Sequence, residues 1–432
     1  MYNQIIIEIF MIEYYSKKLN SPNLHERMKA VSLIEKDISE GKITLPDKSK
    51  VFVNNHIHTK YSFSPYYPAF AVWKSVNAGL ATCGIMDHDS VAGAEEFIIA
   101  GKAFGIKTTV GFEIRCSFEN TPLNGKTINN PDQDTMVYVT VHGIPHNMLA
   151  EAEQFLEPIR VAREKRNIKM IENLNNILFN IGIEINYKED VMPLSLFHKK
   201  GTVTERHILF ALSRMFIDKF GLGENLISAI KNLGVKISDT AKKNLVDLEN
   251  PYLDYDILGL FKSSLVEKFF VPAYEECPCA SDVVAFANKI GAISAYAYLG
   301  DVKESVTGDK KAQKFEDDFV EELFEILSEI GFNSITYMPS RNTELQVEKV
   351  RKLCEKYNFM EISGEDINSP RQSFVCKALE NPKFHHLVDA TWALINHEKL
   401  VTISKENSIM SEKNIEKYPK ISDRVEIFKN IN

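Results

Sequence analysis

The sequence predicts an α/β fold, a largely parallel sheet or barrel broken by a helical insertion. Three observations lead there. Seven short β-rich runs are spread through the chain, helical patterns separate many of them, and histidines or carboxylates stand at the ends of five. With 432 residues, 44% hydrophobic and 25% charged, the chain is long and apolar enough for a large core, which argues against a disordered or fibrous protein. A net charge of -8 argues against a broad surface for duplex nucleic acid and leaves room for a local phosphate pocket.

Residues 1–49 read as a helical extension, with Leu24, Met28, Val31 and Ile34 on one face. The opening "MYNQIIIEIFMIEYYSKK" is interrupted by Glu8 and Glu13 and lacks a basic leader, so neither a signal peptide nor a membrane span is expected. Residues 50–145 hold four candidate strands: "KVFVNNHIH" (50–58), "ATCGIMDH" (81–88), "KTTVGFEIR" (107–115) and "MVYVTVHG" (136–143). Residues 146–284 break the rhythm and read as helical; Ile168, Ile171, Leu174, Leu178 and Ile181 share a face. Residues 285–397 resume it with "GAISAYAYLG" (291–300), "NSITYMPS" (333–340) and "NFMEISGED" (358–366), and residues 398–432 read as a solvated tail or peripheral helix. The six cysteines are scattered without a CxxC pair, as expected of free thiols in a reducing cytoplasm.

In a parallel barrel, side chains at the C-terminal ends of strands converge. The first strand ends in His56 and His58, the second in Asp87, His88 and Asp89, the third in Glu113 and Arg115, the fourth in His142 and the last in Glu365 and Asp366. Four of eleven histidines fall at such ends, and imidazole with carboxylate suits Zn²⁺, Mn²⁺ or Fe²⁺.

The segments "NNHIHTKYSFSP", "AGLATCGIMDHDSVAGAEEF", "TTVGFEIRCSF" and "VTVHGIPH" resemble the PHP (polymerase and histidinol phosphatase) superfamily of metal-dependent phosphoesterases. The shared pattern is H-x-H-T-x-x-S, a strand ending D-H-D, a G-x-E strand and a later strand histidine. It covers residues 50–145 well and about 285–380 more loosely. The resemblance implies a distorted seven-stranded (β/α)7 TIM-like barrel and a centre of divalent ions. It implies His56, His58, Asp87, His88, Glu113, His142 and Asp366 as metal ligands, with catalysis at Asp87, His88, Glu113 and Asp366. Departures stand at Phe63, where family members often carry an acid, at Tyr296 in place of a histidine, and at Asn368 in place of another. One or two ions are therefore expected, with Tyr296 or Asn368 contacting substrate.

The expected activity is hydrolysis of phosphate mono- or diesters by metal-activated water, on a small phosphorylated or nucleotide substrate. The alternatives are a degenerate PHP domain that binds metal or nucleotide without turnover, and an amidohydrolase-like barrel. Candidate partners for phosphate are Arg115, on the same strand face as Glu113, then Arg341 and Arg371 beyond the last two strands. His146 in "HGIPH" and Arg206 with His207 in "TERHI" could reach the cleft, and the polar loop 119–134 could form a flap.

Overall fold

The computed structural model describes residues 2–302 and 313–431, with side chains from Met11 onward. Helices α1 (Tyr2–Leu19) and α2 (Leu24–Ser39) precede the sheet. Then come β1 (Val53–Ile57), α3 (Pro68–Asn77), β2 (Thr82–His88), α4 (Ala94–Ala103), β3 (Lys107–Ser117) and β4 (Met136–His142). The long α5 (Leu149–Leu178) leads into α6 (Glu205–Phe220), α7 (Glu224–Asn232), α8 (Asp239–Val246) and α9 (Leu253–Phe269). The sheet resumes through α10 (Ala280–Ile290), β5 (Ile293–Ala297), α11 (Val320–Ile330), β6 (Ser334–Tyr337), α12 (Glu344–Tyr357) and β7 (Met360–Ser363). Helices α13 (His385–Ile403), α14 (Glu412–Lys417) and α15 (Ile421–Lys429) end the chain.

All seven strands overlap the expected runs, and they lie in one curled sheet in chain order, a half-barrel. It is mixed, not parallel throughout. β4 runs antiparallel to both β3 and β5, with Glu113 opposite Thr140 and Gly111 opposite His142. The reason is the 118–135 connection, which contains no helix and can only fold the chain back as a hairpin. That loop is anchored and does not behave as a solvated flap: Leu123 and Ile128 are fully buried, and Asn129 Nδ2 donates to the carbonyls of Tyr138 and Ala297.

Alternation along the strands divides two faces. On β3, Val110, Phe112, Ile114 and Cys116 pack outward into the main core, and on β4 Val137, Val139 and Val141 do the same. The alternate residues, Gly111, Glu113 and Arg115 with Tyr138, Thr140 and His142, look into the curl. β1 meets the segment after β7 through one parallel bridge, Ile57 to Ile367, carried by His58 N to Ile367 O at 3.0 Å and Ile367 N to His56 O at 3.1 Å. Gly364 permits this approach, since a Cβ there would lie 2.7 Å from both Cβ and N of His56.

The helical stretch builds a second apolar cluster from Met170, Leu174, Phe216, Ile257 and Phe261, among others, and Phe63 of the β1–α3 loop is inserted in it. On α2 the buried face is Arg27, Ala30, Val31 and Ile34, while Leu24, expected on it, is 45% exposed because it opens the helix. Residues past 398 are helical and packed: Ile409, Ile421 and Phe428 cluster with Ile293, Met360 and Ile362. No helix among the described residues is long and apolar enough to cross a membrane.

Candidate metal centre

The ends of β1, β2 and β3 and the turn after β7 bring His56, His58, His88, Glu113 and Asp366 together. Two overlapping triads result, His56–His58–Asp366 and His58–His88–Glu113, with donor atoms within 4.8 Å of one another in each. The His56 and His58 Nε2 atoms are 3.2 Å apart. Glu113 Oε2 lies 3.6 Å from His56 Nε2, 3.7 Å from His58 Nε2 and 3.1 Å from His88 Nδ1, and Asp366 Oδ1 lies 3.2 Å from His58 Nε2. Glu113 thus faces three imidazoles, the arrangement expected of a carboxylate shared between cations.

The donor set fits a divalent ion. His142 Nε2 and Asn368 Oδ1 are buried without a hydrogen-bond partner among the described residues. Groups so placed cost free energy unless something satisfies them. The electrostatics agree. Burial would raise the Glu113 carboxyl, yet His88, His56 and His58 hold it down at about 2. Burial likewise opposes Asp366, but His58 and Arg206 keep it well below the usual carboxylate range. His88 and His142 are both pushed down to about 3 by burial, so they are neutral and carry a lone pair. For His58, burial favours the neutral ring, but the hydrogen bond to Asp366 and the charges of Asp366, Glu113 and Asp87 raise it overall. The anionic pocket therefore draws a cation to this point, a proton when nothing else is there.

Asp87, expected as a ligand, stands behind the cluster. Its Oδ1 accepts from Thr59 N at 2.6 Å and Ser62 Oγ at 2.7 Å, and its Oδ2 from Thr59 Oγ1 at 2.6 Å. Ser62 Oγ also faces His58 Nδ1 at 3.2 Å. Having donated its proton to Asp87, the hydroxyl can only accept from Nδ1–H, which leaves His58 Nε2 bare toward Glu113 and Asp366. The motif threonine and serine are thus tied to Asp87, which is linked to the His58 ring through Ser62.

Several other expected site residues are engaged elsewhere. Arg115 does share the Glu113 face, but it is buried in an ion network: it pairs with Glu276 and Glu205, as does Arg166, while Arg163 pairs with Glu276 and Asp89. Tyr296 points away from the cluster. It pairs with Val139, an outward residue, and donates to buried Glu316 at 3.0 Å. His146 binds Glu398 at 2.8 Å beneath α13. His207 Nδ1 accepts from Thr204 N at 3.0 Å as the helix cap of α6. Arg341 donates to the Leu299 carbonyl, and Arg371 forms a bidentate pair with Asp256 of α9. Two remain at the site. Asn368 Nδ2 donates to Asp366 Oδ1 at 2.7 Å. Arg206, half-buried on the first turn of α6, feels the Asp366 charge and has no hydrogen-bond or ion-pair partner among the described residues.

Sequence reasoning missed Tyr138, whose ring is 6.1 Å from that of His88, and the acids Glu205 and Glu276 that take up the arginines. Parity on β4 with His142 could have flagged Tyr138. Nothing local announces the two acids, which lie far from Arg115 in the chain.

No family model matches the sequence, and no curated protein matches it. Among solved structures, the chain is similar to a protein described as a metal-dependent phosphoesterase from Bifidobacterium adolescentis. The identity is 17%, with 79% of this chain and 98% of that one covered and a TM-score of 0.49. It is also similar to an amidohydrolase from Chromobacterium violaceum solved with bound sulfate and no metal, at 16% identity, 75% and 89% coverage and a TM-score of 0.47. Neither likeness assigns a role to a residue of this chain.

Proposed function

We propose that the chain is a metal-dependent phosphoesterase of the PHP type, its half-barrel corresponding to the distorted seven-stranded barrel of that superfamily. The observation that carries this reading is the pair of His/carboxylate triads sharing His58 at one end of the sheet, beside the orphaned His142 Nε2. His56, His58, His88, Glu113 and Asp366 would hold one or two ions, zinc, manganese or iron by the mix of nitrogen and oxygen donors. A bound ion lowers the pKa of water toward neutrality and neutralises charge on a phosphoryl group.

The chain's own residues have separable tasks. Glu113 and Asp366 are ionised across the neutral range and supply the negative charge of the pocket. Ser62 and Asp87 fix the His58 ring. Arg206 is the cation free to meet a phosphate oxygen. Arg115 keeps α5 and α6 against β3 through its acids, and so sets where Arg206 stands. The substrate is a small phosphorylated molecule or nucleotide.

The test is metal loading followed by turnover. Chelator-stripped protein is supplemented separately with Mn²⁺, Zn²⁺ and Fe²⁺, the bound metal is measured, and chromogenic phosphate monoesters, diesters, nucleotides and amides are offered. Phosphoester turnover that His58→Ala and Glu113→Ala each lower by at least about a thousandfold is expected. Less than one equivalent of ion under every supplement, or undiminished turnover in both variants, overturns the reading. The non-catalytic alternative draws on one observation, that Asp87 is taken up by three donors; one bound equivalent with no turnover on any substrate would favour it.

A further inference from the structure

A cavity of about 370 Å³ lies between the β1–α3 loop and the helical layer, apart from the metal cluster. Three aromatic rings line it: Phe63, Phe210 and Tyr255 pack with ring centroids 5.0 to 6.0 Å apart. Lys60, Lys199 and Arg214 also line it. None of these three cations has a hydrogen-bonded or ion-paired side-chain partner among the described residues; Arg214 rests over the Phe210 ring at 5.4 Å. The Asp254 charge reaches both Lys60 and Arg214. Burial and then the Arg214 charge hold Lys60 below the ordinary lysine value, so these two cations are close enough to repel.

We infer that this cavity is a metal-independent binding site for a small aromatic phosphate, its flat body against the rings and its anionic group between the three cations. The volume falls within the range of small-molecule pockets. Rings offer stacking to a flat heterocycle, and lysine with arginine offers charge and hydrogen bonds to phosphate. Cations alone would fit any anion, and an apolar lining alone any hydrophobe. Their juxtaposition selects a ligand that carries both. The inference stands apart from the phosphoesterase reading, because no residue of the cavity belongs to the two triads.

Adenosine monophosphate, adenosine and inorganic phosphate serve as probes in calorimetric titrations of the full chain held in EDTA. The nucleotide should bind saturably at one site per chain, with adenosine and phosphate each at least about tenfold weaker. Lys199→Glu and Arg214→Glu, both at exposed positions that leave the core intact, should each weaken the nucleotide by about tenfold or more. Lys349→Glu, on α12 and outside the cavity lining, should change it by less than about twofold. Melting curves on the same samples establish that the variants are folded. No nucleotide binding without metal, native affinity in the two charge-reversed variants, or an equal loss of binding in Lys349→Glu would overturn the assignment. Absence of any phosphoester turnover would not touch it.

Discussion

Ser62→Ala isolates how the β1–α3 loop prepares His58. In the native chain Ser62 Oγ donates to Asp87 Oδ1 at 2.7 Å and faces His58 Nδ1 at 3.2 Å. The variant leaves Asp87 with the amide and hydroxyl of Thr59, both at 2.6 Å, so the carboxylate is not orphaned. One hydrogen bond to a buried charge is lost, about 2 kcal/mol of stability. His58 suffers differently. Its side chain is 1% exposed, so water does not replace the missing acceptor, and the ring is released to turn or to move its proton to Nε2. Both triads use Nε2 of His58. Losing a partner of this kind lowers metal affinity by about 10- to 100-fold, or about 1.4 to 2.7 kcal/mol. Calorimetric titration of chelator-stripped protein with Mn²⁺ or Zn²⁺ measures the affinity, and urea melts in EDTA measure the fold. Native affinity in Ser62→Ala alongside abolished binding in His58→Ala would refute the relay: the serine would then be structural and the ring held by packing alone.

Two further outcomes follow from the geometry. Glu316 is fully buried and pushed up to about 7, chiefly by burial, so the folded state retains a proton that an unfolded glutamate releases near 4.5. A folded-state pKa raised in this way gives stability that is complete below the unfolded value and is lost as pH rises through the folded one. The chain should lose about 3 kcal/mol between roughly pH 4.5 and 7 from this group, and Glu316→Gln should flatten that part of the urea-melt profile; an unchanged slope in the variant would contradict it. Gly364→Ala puts a methyl 2.7 Å from His56, so β1 and the β7 turn must separate, at about 1 to 3 kcal/mol. Both the melting temperature and metal affinity should fall, and an unaltered melt with native metal binding would show that the approach is not tight.

The seven strands were legible because each is a short β-rich run bounded by turn residues, a local property. The direction of β4 was not, since it depends on whether residues 118–135 make a helix, and the loop's polarity does not reveal that Leu123 and Ile128 are core. The cluster was legible because its histidines and carboxylates sit where strands end. Placement within it was not: Asp87 and His88 are adjacent on β2 and fall on opposite sides, so His88 meets Glu113 while Asp87 meets Thr59 and Ser62. Tyr296 shows how register decides. In "SAYAYLG" the alanines occupy the crowded inside of the curl, and the tyrosines turn outward to Glu316 and Asp317. Arg115 was placed on the correct face but lost to Glu205 and Glu276, acids brought in by segments distant in sequence. Long-range capture of this kind leaves no local trace.

The bridge between Ile57 and Ile367 joins the two ends of a sheet whose other neighbours are all consecutive. His56 and His58 flank one side of that seam and Asp366 the other. An ion held there would act as a clasp, fastening the first strand to the last between residues 57 and 367. Ion occupancy and the joining of the two sheet ends would then be one equilibrium: whatever loosened the seam would release the ion, and removal of the ion would loosen the seam.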